Sequence, residues 1–394
     1  MIPRLKPWIG FSELRALFSI SSKDAIHNFE MQFAQTMQQN YAVAVPYGRT
    51  GLLLTLQALG LKDREIICPA YTCVVVPHAI VYSGNKPVFV DCEPDGFNMD
   101  LEQVEAKISE KTGAIIATSL FGYPVNLDIL EVIQSKHPHV QVVQDCAHSF
   151  GVTWNRKPVQ KHGIAAIYGL NISKIITSIF GGMVTTDDEE FYHNLKTHRD
   201  KVLLNGTWLK SLKRSLYLLA VYPTFQSTIY GIINKMERLG LLDSFVKYYD
   251  DNTIKMPDDY LVGMTSVEAR VGRANLERYN FLLAQRKHAA NYYHMALSDY
   301  EDFILPPENE ESTYSHYVVR TDRREHWLQF ALERGVQLGW LIEYNIPEMP
   351  AYGNLPAADF PYAAAYARSV INFPVWGGES IAKKVLRRLG LNSN

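Results

Sequence analysis

Lys174 and Asp145 are the residues whose types and spacing could do chemistry. Lys174 stands in Asn171-Ile172-Ser173-Lys174, just ahead of Gly181-Gly182-Met183-Val184 and twenty-nine positions after Asp145, which ends Val140-Gln141-Val142-Val143-Gln144-Asp145. An amine that condenses with a cofactor aldehyde, with a carboxylate that keeps the cofactor's pyridine nitrogen protonated, is the minimum equipment of pyridoxal-phosphate chemistry. Taken alone, a lysine before a glycine pair reads as a solvated loop residue. Its flanks argue otherwise, because Ala165 to Leu170 and Met183 to Thr186 are both apolar and strand-like. Desolvation between two buried strands lowers an ammonium's pKa and makes the nucleophilic neutral amine accessible near neutral pH.

The elements that position these residues follow from the hydrophobic pattern. From Tyr41 to about Thr186, short apolar runs alternate with segments of helical period, which predicts an α/β fold with a mainly parallel sheet flanked by helices. Expected strands are 42–45, 65–68, 87–91, 114–119, 140–145, 165–170 and 183–186. Expected helices are 50–59, 74–82, 101–108, 127–136 and 189–198. Ligands of such sheets collect beyond the carboxyl ends of the strands, where Gly48, Tyr71 and Asp145 fall. Tyr47-Gly48-Arg49-Thr50-Gly51-Leu52 is a turn feeding a helix, whose free amides and positive dipole end suit a phosphate; it also reads as an ordinary helix start with a Thr cap. Past Ser266 a long helical segment runs to Leu297, and an amphipathic helix at about 380–389 closes a smaller C-terminal α/β domain. The expected division is a large domain over 1–259 and a small one over 260–394.

Length and composition bound the rest. A chain of 394 residues buries a large core, and 39 basic against 41 acidic residues leave no field that argues for nucleic acid. Cys68, Cys73, Cys92 and Cys146 have no metal-ligand spacing and sit in or beside apolar stretches, so they read as reduced core thiols of a cytoplasmic protein with no metal. Met1 to Trp8 lacks the apolar core of a secretory signal.

Read in order, these pieces resemble the sugar aminotransferases of the DegT/DnrJ/StrS type, fold-type I pyridoxal-phosphate enzymes. Gly48 to Leu52 is similar to the family's phosphate turn, and Cys68-Pro69-Ala70-Tyr71-Thr72 to its strand-end motif. Gln144-Asp145-Cys146-Ala147-His148 is similar to its acidic motif, and Asn171 to Val184 to its lysine and glycine-pair segment. Pro87 to Asp91, Glu268 to Gly272 and Arg368 to Val375 fit further landmarks. The resemblance implies pyridoxal 5'-phosphate held by Gly48, Arg49, Thr50, Tyr71, Asp145, His148, Asn171 and Lys174. Lys174 would form the Schiff base and then shuttle the proton, Asp145 would hold the pyridinium proton, and Tyr71 would stack on the ring. His148, where the family commonly has Gln, would serve the ring hydroxyl and add pH sensitivity near neutrality. The partners implied are an amino donor such as glutamate, a keto-sugar acceptor, and a second subunit that completes the active site of a homodimer.

This chain departs from the pattern at several positions. Gly169 stands in place of a phosphate-binding serine, Leu261 or its neighbours in place of an asparagine from the second subunit, and Phe180 in place of an acidic residue before the glycine pair. The chain is also longer than the family norm between 201 and 255. Within that insertion Ser215 to Asn234 carries no charge and is flanked by Lys210, Lys213, Arg214, Lys235 and Arg238. Three readings stay open: a peripheral contact with the inner face of the membrane, a buried protein interface, or a transmembrane helix, with Pro223 and the polar Thr224 to Thr228 cluster arguing against the last. A membrane contact would admit a lipid-linked acceptor. Besides amino transfer, two functions remain: a dehydratase on the same scaffold, whose known variants lack the Schiff-base lysine, and a cofactor-binding regulatory or scaffold protein without turnover.

Overall fold

A computed structural model describes residues 1–19, 24–241 and 249–391. Helices α1 (Phe11–Phe18) and α2 (Ala25–Thr36) precede β1 (Tyr41–Val45). Then α3 (Gly48–Ala58), β2 (Glu65–Pro69), α4 (Val75–Tyr82), β3 (Lys86–Val90), α5 (Leu101–Lys107), β4 (Thr112–Thr118), α6 (Leu127–Lys136) and β5 (Gln141–Asp145) alternate as the pattern predicts. A small hairpin, β6 (Thr153–Trp154) and β7 (Lys157–Pro158), leads to β8 (Ala165–Gly169) and β9 (Gly182–Thr186).

Seven of these strands form one sheet in the order β1-β9-β8-β5-β4-β2-β3. Six point the same way, and β9 alone runs antiparallel, between β1 and β8. Every residue of β4 is buried, which is why it reads as a continuous apolar run rather than an alternating one. Helix starts follow local chemistry: the Asp100 carboxylate accepts from the Glu102 and Gln103 amides, and the Asp188 carboxylate from the Phe191 amide.

After the sheet come α7 (Glu189–Val202), α8 (Trp208–Val221) and α9 (Ser227–Arg238). Part of the segment expected to be an insertion, 242–248, lies outside the described residues. A smaller α/β portion follows: α10 (Ser266–Leu276), α11 (Tyr279–Leu297), β10 (Tyr317–Arg320), α12 (Arg324–Glu333), α13 (Pro361–Ser369), β11 (Val370–Phe373) and α14 (Gly378–Leu389), with β10 and β11 antiparallel. The expected continuous helix from Ser266 to Leu297 is thus two helices. The break at Glu277 and Arg278 lets α10 stay against α1 and α2 while α11 turns to pack on α14. The Arg278 guanidinium donates to Ser12 Oγ of α1 at 2.6 Å beside this break. The N-terminal residues cross to this portion, where the Ile2 amide donates to Gly335 O at 2.8 Å and Ile2 O accepts from the Gln337 amide at 2.9 Å.

Candidate active site

Three backbone segments meet beyond the carboxyl ends of the strands. Tyr47 enters α3 beside the start of β9, and a Cβ on Gly48 would lie 3.1 Å from Gly169 Cα. One on Gly182 would strike the Gly48 nitrogen and lie 2.6 Å from the Tyr47 carbonyl carbon. Glycine at 182 is therefore what lets the strand backbone touch the turn. The amino end of α3, where a helix presents its first amides and positive dipole end, opens into a cavity of about 870 Å³.

Lys174, Asp145, His148, Asn171, Gly48 and Arg49 all line this cavity. Asn171 Oδ1 accepts from the Ser173 amide at 3.0 Å and from Ser173 Oγ at 2.6 Å, which folds the loop that delivers Lys174. No hydrogen bond ties down Lys174 Nζ among the described residues. Burial lowers its pKa from the ordinary lysine value, with Cys73 and Asp145 pulling it partway back. Burial raises the pKa of Asp145, and the Ala147 amide, 3.0 Å from Oδ1, and Lys174 oppose that rise.

Two sequence assignments fall outside the cavity. The Thr50 side chain is fully buried and its hydroxyl donates to Tyr260 O at 3.0 Å, so only the Thr50 backbone amide remains for an anion. Tyr71 is also fully buried, donating to Ile342 O at 3.2 Å and packed edge-on against Phe121 and Tyr366. The chain bends after Pro69, and Thr72 and Cys73 line the cavity instead. Cys73 is accordingly not a core thiol, whereas Cys68, Cys92 and Cys146 are buried. The expected titration of His148 near neutrality is also corrected: burial first, then Lys174, His316 and Arg286, hold its pKa well below the ordinary imidazole value. Its Nδ1 is buried with no hydrogen-bond partner.

Several lining residues carried no motif in the sequence. His316, just before β10, brings its ring within 5.1 Å of the His148 ring. Arg4 and Trp340 come from distant parts of the chain, as does Asn372 of the Arg368 to Val375 landmark, and the Arg4 amide donates to Gln337 Oε1 at 3.2 Å. Tyr217 of α8 and Asn234, Glu237 and Arg238 of α9 form one wall. Phe180, as expected for an apolar wall, lines the cavity beside Tyr217 at a ring separation of 4.9 Å. Leu261 does not line it; its carbonyl accepts from the Leu204 amide at 2.8 Å.

Comparison with known proteins places these features in context. The family model described as the DegT/DnrJ/EryC1/StrS aminotransferase family matches residues 15–214 and 226–385. GDP-perosamine synthase of Caulobacter vibrioides is 25% identical over 371 residues, covering 90% of this chain and 85% of that protein. The structure of the sugar aminotransferase CalS13 from Micromonospora echinospora superposes with a TM-score of 0.76 at 21% identity, covering 99% of each chain. That of the GDP-4-keto-6-deoxy-D-mannose-3-dehydratase from E. coli, with bound hydrated PLP, gives 0.77 at 18% identity, covering 100% of this chain and 99% of that one.

Proposed function

The chain belongs to the DegT/DnrJ/EryC1/StrS aminotransferase family, enzymes that depend on pyridoxal 5'-phosphate, and we propose that it moves an amino group from a donor such as glutamate to the keto group of a sugar or nucleotide-linked sugar. The observation that carries this reading is the convergence of Lys174 and Asp145 on one cavity. The residues present fit the cofactor. A buried carboxylate, an amine with no hydrogen bond among the described residues and an orphaned imidazole nitrogen face the space beside a helix amino end. The large domain, 1–259, supplies these groups, and the small domain, 260–394, covers them.

When bound, the cofactor supplies an electron sink for the donor's alpha carbon. Asp145 holds the proton at the ring nitrogen, because a carboxylate next to a pyridinium recovers the charge pairing that burial otherwise denies it. Lys174, whose pKa burial lowers, would hold the cofactor through its aldehyde and, once released, would be the base placed to move the proton of the donor's alpha carbon. The amides at Gly48 to Thr50 and the Arg49 guanidinium hold the phosphate. His148 Nδ1 meets the ring hydroxyl as a neutral imidazole. Tyr71 acts only through packing, and Thr72 and Cys73, which line the cavity, would border the cofactor in its place.

A dehydratase with the same fold is among the structural neighbours, but Lys174 favours transfer, since dehydratases of this scaffold replace that lysine. A homodimer whose partner closes the cavity and a peripheral membrane contact through Ser215 to Asn234 belong to the same reading, and the latter admits a lipid-linked acceptor. The test is the visible spectrum of the purified protein with pyridoxal phosphate, before and after glutamate. A cofactor band that glutamate shifts, absent in Lys174→Ala, supports transfer. A spectrum unchanged by glutamate, or identical in Lys174→Ala, moves the function to binding without turnover.

A further inference from the structure

We propose that the α8–α9 hairpin is a docking surface for an anionic lipid bilayer, seating the wall it lends to the cavity against the membrane. This gives the membrane contact a face, a lipid class and a geometry, and it rests on the aminotransferase reading only for what the cavity then receives.

The hairpin is firmly held on its inner side. Leu218 is fully buried, Lys210 Nζ donates to Val262 O at 2.6 Å, and the Tyr230 hydroxyl donates to Gln337 Oε1 at 2.6 Å. Arg214 donates to Asp259 Oδ2 at 2.7 Å, to the Tyr47 hydroxyl at 2.8 Å and to Glu268 Oε1 at 3.1 Å, with its guanidinium 4.1 Å from the Phe180 ring. These contacts fix the rotation of both helices, so the outward residues are set by the fold.

What faces outward is apolar. Trp208, Leu212, Leu216 and Leu219 recur at the spacing of one helical stripe, with Trp208 77% and Leu216 56% exposed. Ile229, Ile232 and Leu239 do the same on and just beyond α9, Ile232 at 65% exposure. Neither helix crosses a bilayer: α8 has 14 residues, about 21 Å against a hydrocarbon core of about 30 Å. The two are bent by 104°. Short amphipathic helices with an exposed tryptophan lie in the interface plane instead.

Charge selects the occupant. From Trp208 to Met236 there is no Asp or Glu. Lys213 borders the α8 stripe and Lys235 sits among the outward residues of α9, and neither pairs with a carboxylate among the described residues. Anionic headgroups satisfy these cations, whereas a two-fold contact of this face with itself would oppose like charges. The family model matches residues up to 214 and again from 226, and the end of α8 and the bend lie in the unmatched stretch.

Co-sedimentation of the holoenzyme with vesicles of phosphatidylcholine, alone or mixed with phosphatidylglycerol, tests the proposal. The enzyme should sediment with both vesicles, more with the mixed ones than with phosphatidylcholine alone, and that preference should shrink as salt is raised. The triple variant Leu212→Ser, Leu216→Ser, Ile232→Ser should lose binding by at least ~10-fold, with its oligomeric mass and glutamate response unchanged. Lys213→Glu with Lys235→Glu should remove the preference for phosphatidylglycerol. An enzyme that ignores both vesicles at low salt overturns the proposal, as does a triple variant that binds like the parent. Loss of oligomeric mass in the triple variant would make this face a subunit interface and also overturn it. A protein that binds vesicles but not glutamate's amino group keeps the docking surface and loses the aminotransferase reading.

Discussion

Replacing His148 by Gln should remove one source of acid lability from the apoenzyme. The imidazole is only 8% exposed, and burial, reinforced by Lys174, His316 and Arg286, keeps it neutral in the folded state. In the unfolded chain the same ring takes up a proton near pH 6.5. A folded pKa below the unfolded one contributes stability that is complete above about pH 6.5 and is lost as pH falls below it. Between pH 7 and pH 5 the unfolded ring goes from roughly one-quarter to nearly full protonation, and burial that denies the folded ring this proton costs up to about 2 kcal/mol. The measurement is the urea midpoint of apoenzyme and His148→Gln at both pH values. With a slope of about 4 kcal/mol per molar urea for a chain of this size, the parent midpoint should fall further than the variant's, by up to ~0.5 M. Comparing the two falls cancels any change in packing that the substitution makes at pH 7. An equal fall in both proteins would mean that His148 is already protonated in the folded state, and the argument from its burial would fail. If the ring only donates or accepts a hydrogen bond, the glutamine amide replaces it and the glutamate response survives.

Three further substitutions test the geometry. Gly182→Ala should cost about 3 kcal/mol or more, because its Cβ meets backbone atoms of Tyr47 and Gly48 that cannot rotate away; thermal melting and cofactor titration should weaken together. Arg214→Met should cost about 3–5 kcal/mol, since it leaves the fully buried Glu268 carboxylate without its cation, and a Glu268→Gln partner change should recover part of that loss in a urea melt. Gly169→Ser should fold normally, because a Cβ there meets Lys174 Cε at 3.4 Å and Ala147 Cβ at 3.9 Å, ordinary contacts. Its added hydroxyl should tighten cofactor binding by up to about 10-fold, read by titration of the apoenzyme.

The sheet was legible because parallel strands buried on both faces leave unbroken apolar runs, and all seven predicted runs became strands of one sheet. Lys174 and Asp145 were legible because their chemistry has few substitutes. Tyr71 was misplaced for a physical reason: strand alternation ends at Pro69, and past it the backbone bends, so neighbouring residues no longer report which side they face. Asn372 lay within the landmark Arg368 to Val375 but was given no role, and His316 and Arg4 carried no local signal at all, since Arg4 reaches the cavity only through the bridge of residues 1–9 onto the C-terminal portion, a contact hundreds of positions apart.

The segment around α8 and α9 shows the same limit in a sharper form. Its sequence announced an uncharged, apolar stretch between cations, which suits a buried interface and a membrane surface equally well. Periodicity alone gives two candidate faces on α8, one through Lys210, Arg214 and Leu218 and one through Trp208, Leu212 and Leu216. Only tertiary partners break the tie. Asp259 and Glu268 claim the basic face, drawing Lys210 and Arg214 inward, and the fully buried Leu218 fills the seam beneath them. The cations that a sequence reading assigns to lipid headgroups are thus partly spent inside the protein. The ones left outward, Lys213 and Lys235, are fewer, so the docking surface should depend more on its apolar stripe than on salt. The serine triple variant should therefore lose more vesicle binding than the charge-reversed pair does in phosphatidylglycerol at moderate salt, and the opposite order would mean that electrostatics, not insertion, holds the hairpin to the bilayer.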